Sequence, residues 1–250
     1  MRTRFKLLAT FAAALCLSGP ALAYHPLVGD DTGTQGAGGN QIEIGYDYDH
    51  STLDGAGRSF SITYSRGITD ALDVFASAVW LASPVGGWGN AGLGAKWRFY
   101  DHETSGLSLA IEPKVQLPVS AEDEARGLGN GKTGYSLAFL ATQNTSFGQV
   151  IVNLAAGRDR FADKLIVDRK THYRLSVAPV WQVSKPIRLA LDMGLKTNPD
   201  SSRKYRMGYL ELGMIYTPDQ TLDLSLGILR AVLDGPVSNT TVTSEATWRF

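Results

Sequence analysis

From residue 187 to residue 195 the chain alternates without a break. Ile187, Leu189, Leu191, Met193 and Leu195 stand against Arg188, Ala190, Asp192 and Gly194. A period of two puts the first set on one face of a strand and the second on the other. The same period recurs in Leu107, Leu109, Ile111, Pro113, Val115 and Leu117 against Ser108, Ala110, Glu112, Lys114 and Gln116. It recurs again in Leu222, Leu224, Leu226 and Ile228 against Asp223, Ser225 and Gly227. Beyond residue 23 no apolar run is long enough for a transmembrane helix, and sustained helical periodicity is missing. The pattern predicts strands at 40–49, 58–67, 71–82, 89–99, 107–117, 133–144, 148–157, 170–183, 187–197, 204–216, 222–232 and 240–250. Twelve is an even number, and most of these strands have about the 9–11 residues that a tilted strand needs to cross a bilayer. The expected fold is all-β, an antiparallel transmembrane β-barrel of 12 strands.

The connections alternate in length, as a barrel with both ends on one side of the membrane requires. Residues 68–70, 145–147, 184–186 and 218–221 read as tight turns; 50–57, 118–132, 158–169 and 233–239 read as longer outer loops. Residues 101–106 fit either class. Walking the strands up and down then places Tyr64, Trp97, Phe99, Trp181, Tyr216, Trp248 and Phe250 near the periplasmic side. Tyr46, Tyr48, Trp80, Tyr135, Tyr173 and Tyr205 fall near the outer side, which makes two aromatic girdles. The last strand carries Val242, Ala246, Trp248 and Phe250 on one face. Its terminal aromatics, Trp248 and Phe250, resemble the signal that outer-membrane barrels present to their assembly machinery. A soluble β-sandwich also has half-apolar strands, but its strands are usually shorter and are not framed by aromatic ends.

The beginning of the chain fits an exported protein. Arg2, Arg4 and Lys6 precede an apolar run from Leu7 to Leu17, followed by Ser18-Gly19-Pro20 and Ala21-Leu22-Ala23. This reads as a cleaved secretory signal over residues 1–23, with the mature chain starting at Tyr24 and localising to the bacterial outer membrane. Cys16 is the chain's one cysteine, and Leu15 before it departs from a lipoprotein signal, where a small residue is expected. Losing the leader leaves 21 basic against 24 acidic residues, a net charge of about −3 with no basic footprint for nucleic acid. No cofactor and no metal site are expected, and a mature chain without cysteine has neither a thiolate nucleophile nor a sulfur-ligated metal.

If the apolar faces meet lipid, the charges on the strands point inward, because Arg or Lys on the lipid face at mid-depth costs about 2–4 kcal/mol. The lumen-lining candidates are Glu43, Asp47, Lys96, Arg98, Glu112, Lys114, Arg174, Arg188, Asp192, Lys196, Glu211, Asp223, Glu245 and Arg249. Both signs are present in similar number. That suits a polar solute pathway, and equally a salt-bridged interior that satisfies only itself. Residues 24–39 are Gly-rich and too short for a core of their own, yet they contain Pro26 and Leu27. Two readings stand: a flexible leader, or a small plug inside the lumen with His25, Pro26, Leu27, Asp30 and Asp31 as its contacts and the two aspartates meeting inward Lys or Arg.

His25-Pro26-Leu27, then Asp30-Asp31-Thr32-Gly33-Thr34-Gln35-Gly36, then Gln41-Ile42-Glu43 opening a strand, together resemble the start of outer-membrane transporters in the family named for the meta-pathway of phenol degradation. The resemblance implies a channel or transporter for small solutes, aromatic or otherwise apolar ones among them. A looser likeness to long-chain fatty-acid transporters lacks their larger N-terminal hatch.

Two other classes compete. A lipid hydrolase needs a nucleophile and base within hydrogen-bond reach, and none of His25, His50, His102 and His172 opens a His-x-Ser pair on a strand. A structural or surface-binding barrel would use loops 118–132 and 158–169. There Glu122, Asp123 and Glu124 are either simply solvated or bind divalent cations near lipopolysaccharide. The partners expected are outer-membrane lipid and lipopolysaccharide, the barrel assembly machinery and a small-molecule solute, with no nucleic acid; no enzymatic activity is expected.

Overall fold

The computed structural model describes residues 26–52, 55–166, 168–202, 206–233 and 239–250. The leader 1–23, Tyr24, His25 and Tyr205 lie outside the described residues. The elements are β1 (Asn40–Ser51), β2 (Gly55–Thr69), β3 (Leu72–Ser83), β4 (Gly87–Trp88), β5 (Gly92–His102), β6 (Leu107–Gln116), α1 (Ala121–Ala125), β7 (Lys132–Thr145), β8 (Gly148–Arg160), β9 (Thr171–Ser184), β10 (Ile187–Lys196), β11 (Met207–Asp219), β12 (Leu222–Ala231) and β13 (Asn239–Arg249). Each long strand pairs antiparallel with its sequence neighbour. The pairing of β1 with β13 closes the ring, so twelve long strands form a barrel and the two-residue β4 is an appendage on β3. Asn40 and Phe250 exchange both backbone hydrogen bonds at the seam, at 2.9 and 3.0 Å. No helix among the described residues is long and apolar enough to cross a membrane.

The alternation has the orientation the pattern requires. Ile44, Leu137, Leu154, Leu212, Leu226 and Ile228 are exposed on the outer surface, while the residues between them are buried inside. Leu191, Leu212 and Ile228 lie side by side on β10, β11 and β12, one row of the apolar belt. Such a surface is stable only in lipid, and a closed ring leaves no unpaired strand edge there. At the end that carries Asn40 and Phe250, Trp248 neighbours Ile42 and Leu222, and Tyr64 follows Ile42 on the other side. At the opposite end Tyr46 packs on Phe60 and Trp80 on Trp88.

Several boundaries differ from the expectation. The first outer connection shrinks because β1 and β2 stay paired up to Ser51 and Gly55. This far from the bilayer the outward face meets water, so the apolar half of the alternation disappears although the ladder continues. Residues 103–106 form a short turn on the same side as the termini, and β5 runs on to His102 through a register shift between Arg98 and Tyr100. The loop after β6 contains α1, which starts at Ser120; its hydroxyl accepts from Asp123 N–H in an N-cap.

Candidate functional site

The interior of the barrel holds the chain's own N-terminal segment. Residues 26–36 sweep along the inner wall from β11 and β12 past β10, β8, β7, β6 and β5 to β3, against the order of the strands in sequence. Pro26 fits where two glycines face inward: a β-carbon on Gly213 would lie 2.0 Å from Pro26 Cγ, and one on Gly227 would lie 2.7 Å from Pro26 Cβ. Only glycine permits that approach. Leu27 is 2 % exposed and packs with Ile151, Ala178, Val180 and Ala190, an apolar patch on the inner wall. Burying a leucine side chain contributes roughly 1.5–3 kcal/mol.

The next residues are held by polar groups. Val28 and Gly29 donate their backbone N–H groups to Asp192 Oδ2 at 2.9 and 3.2 Å. Arg174 Nη1 donates to the Val28 carbonyl at 2.7 Å. Asn153 Oδ1 accepts from Asp30 N–H, and Asn153 Nδ2 donates to the Asp30 carbonyl, both at 2.8 Å. The Asp30 carboxylate lies 2.5 Å from Lys96 Nζ and that of Asp31 lies 4.0 Å from it. Thr32 N–H donates to Thr142 Oγ1 at 3.1 Å, and the Thr32 hydroxyl meets that of Ser108. Gln35 N–H reaches both oxygens of Asp73 at 3.2 and 3.0 Å. The segment leaves the lumen through Gly38 and Gly39, which exchange backbone bonds with Gly67 at 2.9 Å.

The sweep leaves one sector of the lumen uncovered. A cavity of about 280 Å³ remains there, bounded by Asp30, Asp31 and Gln35 of the segment and by Gln41, Glu43, Arg188, Ile215, Asp223, Thr247 and Arg249 of the wall. Arg188 and Arg249 both hold Asp223 Oδ2, at 3.2 and 2.8 Å, and Arg249 Nε donates to Gln41 Oε1 at 3.1 Å. With one apolar side chain in its lining, this space suits water and polar groups.

The charged positions singled out in the sequence therefore fall into groups. Arg188, Asp223 and Arg249 form one cluster, Lys96 meets Asp30 and Asp31, and Arg174 and Asp192 clamp Val28 and Gly29. Glu43, Asp47, Glu211 and Glu245 sit on β1, β11 and β13, and Glu112 and Lys114 lie on β6; Glu43, Glu211 and Glu245 are buried, and Glu43 interacts with Lys96 across the lumen. Lys196 stands opposite Arg174 in the β9–β10 ladder. Arg98 stands apart at the mouth, 3.5 Å from Asp101 and donating to the Asp70 carbonyl at 2.8 Å. His102 Nδ1 lies 2.9 Å from the Ser105 hydroxyl and accepts Ser105 N–H at 3.1 Å, so this pair organises its own turn.

Reading charges alone misses Asn153. It is fully buried, and its position between inward Ile151 and Ala155 is the one signal in the sequence: an amide on an inward strand position needs a partner.

The outer end is tied together as well. Glu124 is 4 % exposed, and its carboxylate accepts N–H groups from Gly131 at 2.5 Å, Ala162 at 3.0 Å and Asp163 at 2.8 Å, joining loop 117–131 to loop 161–170. Asn90 Nδ2 donates to the carbonyls of Leu117 and Asn130 at 2.7 and 2.9 Å, and Arg126 reaches the Gly86 carbonyl at 2.9 Å. Glu122, Asp123 and Glu124 therefore do not converge: Asp123 pairs with Arg126 at 3.0 Å while Glu124 turns inward. No group of acidic, His or Cys side chains among the described residues is arranged to hold a metal ion.

Solved structures share this fold. An outer membrane channel from Pseudomonas putida F1 superposes with a TM-score of 0.68 at 13 % identity, covering 88 % of this chain and 98 % of that one. The NanC porin gives 0.58 at 9 % identity over 83 % of this chain and 98 % of that one, and the KdgM porin 0.54 at 12 % over 81 % and 97 %. At these identities the likeness establishes the fold, a barrel of the outer-membrane type. No curated protein sequence matches the chain. A family model does match, over residues 26–250, which takes in the segment inside the lumen as well as every strand, and the chain thus belongs to the family described as "Putative MetA-pathway of phenol degradation".

Proposed function

We propose that this protein is an outer-membrane channel for small solutes whose passage residues 26–39 narrow as a plug. The observation that carries the reading is the pairing of a closed barrel with a polar lumen that its own N-terminal segment crosses by separable contacts. A structural interior would be filled by wall side chains alone. Here a removable strip fills part of it, and a cavity of about 280 Å³ persists beside the strip. Both the P. putida structure, described as an outer membrane channel, and the family's link to phenol degradation support a transport role. Aromatic compounds that also carry a polar or charged group fit this lumen better than plain hydrocarbons, because the lining of the cavity is polar apart from Ile215.

The same reading assigns residues 1–23 as a cleaved export signal, Trp248 and Phe250 as the strand end recognised by the assembly machinery, and lipid with lipopolysaccharide as the surroundings.

Solute flux into liposomes carrying the refolded protein, with and without residues 24–39, tests the channel. Flux that rises on deletion supports it. No flux from either form, with the barrel shown to be folded, overturns it and favours a structural or surface-binding barrel.

A further inference from the structure

The geometry points to a carboxylate-bearing solute as the ligand that displaces the N-terminal segment, with Lys96 and Arg174 as the cations that receive its charge. This rests on the channel reading above and adds to it the class of solute and the means of opening.

The segment itself shows what these cations accept. Lys96 holds the Asp30 carboxylate at 2.5 Å and is 12 % exposed, so the pair is shielded from solvent. A charge-assisted bond in such a place is stronger than one in water, and withdrawal of Asp30 breaks it, leaving Lys96 only the charges of the wall carboxylates Glu112 and Glu43. Arg174 grips the Val28 carbonyl with Nη1, while its Nε is buried with no hydrogen-bond partner. Val28 and Asp30 are two residues apart, so their Cα atoms are about 7 Å apart at most. The two cations therefore grip nearby residues of the segment and lie along one short stretch of the path. The guanidinium has a donor to spare, and a carboxylate satisfies it better than a single carbonyl does.

Asp30 thus occupies the position of a solute's carboxylate. Withdrawal of the segment exposes Lys96 and Arg174 together, and whatever neutralises them favours the withdrawn state. A ligand shifts such an equilibrium only by its difference in affinity for the two states. A carboxylate binds only after Asp30 has left and so opens the path for itself. A neutral molecule of equal size has no comparable gain. Asp192 and Asn153, which hold the backbone of Val28, Gly29 and Asp30, set the resting state without discriminating between solutes.

Glucuronate and glucose make a matched pair of probes, alike in size, different in charge and both unable to leak through lipid. Flux into liposomes and amide hydrogen exchange over residues 26–36 are measured with the full mature chain, with Asp30→Asn, with Lys96→Gln and with the chain lacking residues 24–39. We expect glucuronate to cross the wild type roughly tenfold faster than glucose, in line with the strength of a charged hydrogen bond, and to speed exchange in the segment where glucose does not. Asp30→Asn should raise both fluxes and keep the preference, because Lys96 is intact. Lys96→Gln should abolish the preference even if the segment loosens. If the deleted chain conducts while the wild type passes both sugars equally and exchange ignores glucuronate, the carboxylate inference fails and the channel reading stands. Persistence of the preference in Lys96→Gln also overturns it. No flux through the deleted chain overturns both.

Discussion

Asn153 brackets the peptide unit of Asp30: one amide side chain on β8 accepts its N–H and donates to its carbonyl, both at 2.8 Å, across 123 residues of sequence. The pair imitates one rung of a β-ladder, with a side chain in place of the second strand. It satisfies both backbone groups of a residue that is buried.

Replacing Asn153 by Ala leaves those two groups without partners, at about 1–3 kcal/mol each. Strand pairing through β8 is unaffected. The expected result is amide exchange at Asp30 and its neighbours accelerated by roughly tenfold or more, with the unfolding midpoint of the barrel nearly unchanged. Hydrogen exchange followed by mass spectrometry checks both.

Gly213→Val tests the seat of Pro26. The new side chain occupies the position of the proline ring, 2.0 Å from Pro26 Cγ at its β-carbon, so the start of the segment must move away. We expect a larger solute flux and faster proteolysis near residue 27. An unchanged flux in a folded barrel would show that this end of the segment does not obstruct the path.

The outer loops make a separate prediction. Glu124→Ala removes the common acceptor of the Gly131, Ala162 and Asp163 N–H groups, bonds to a charged group worth about 1.5–3 kcal/mol each. Loops 117–131 and 161–170 should become susceptible to protease from the outside of intact cells while exchange in segment 26–36 stays slow. Simultaneous loosening of both ends would mean that they are coupled through the wall.

Leu212 marks the lipid face. Leu212→Arg places a charge in the apolar row beside Leu191 and Ile228, and should destabilise the barrel by about 2–4 kcal/mol if that row is near the bilayer midplane. Denaturant unfolding from vesicles measures the loss. On the inner face next to it, Glu211→Gln should change stability far less, since burial of the uncharged amide costs less than burial of a carboxylate.

How much of this could be read from the chain depended on how local the cause was. The run from Ile187 to Leu195 declares its own faces, because lipid on one side and polar groups on the other leave a period of two in the residues themselves. The same logic gave out above the membrane: His50 and Ala56, paired on the outward face, are exposed where that face meets water, so nothing apolar marks the strand ends. Pro26 and Leu27 stood out as odd in a glycine-rich stretch, whereas their seat at Gly213 and Gly227 and the patch around Ile151 became visible only once the ring had closed. Glu124 looked like its neighbours Glu122 and Asp123; what sets it apart are backbone groups near residue 162, far along the chain. The cap of α1 is local, Ser120 to Asp123, yet it lies in a stretch whose pattern reads only as an outer loop.

Apart from β1 with β13, the strand pairs that make the wall join neighbours in sequence, and such a wall grows hairpin by hairpin with little loop entropy to overcome. The segment inside it is different in kind. Its bonds reach from Val28 to Asp192, from Asp30 to Asn153 and from Thr32 to Thr142, spans of 164, 123 and 110 residues, and its receptors lie on β7, β8 and β10. Those receptors face one another only after the sheet has curled shut. The first residues of the described chain are therefore among the last to find their places: the ring closes empty, and the segment threads it afterwards.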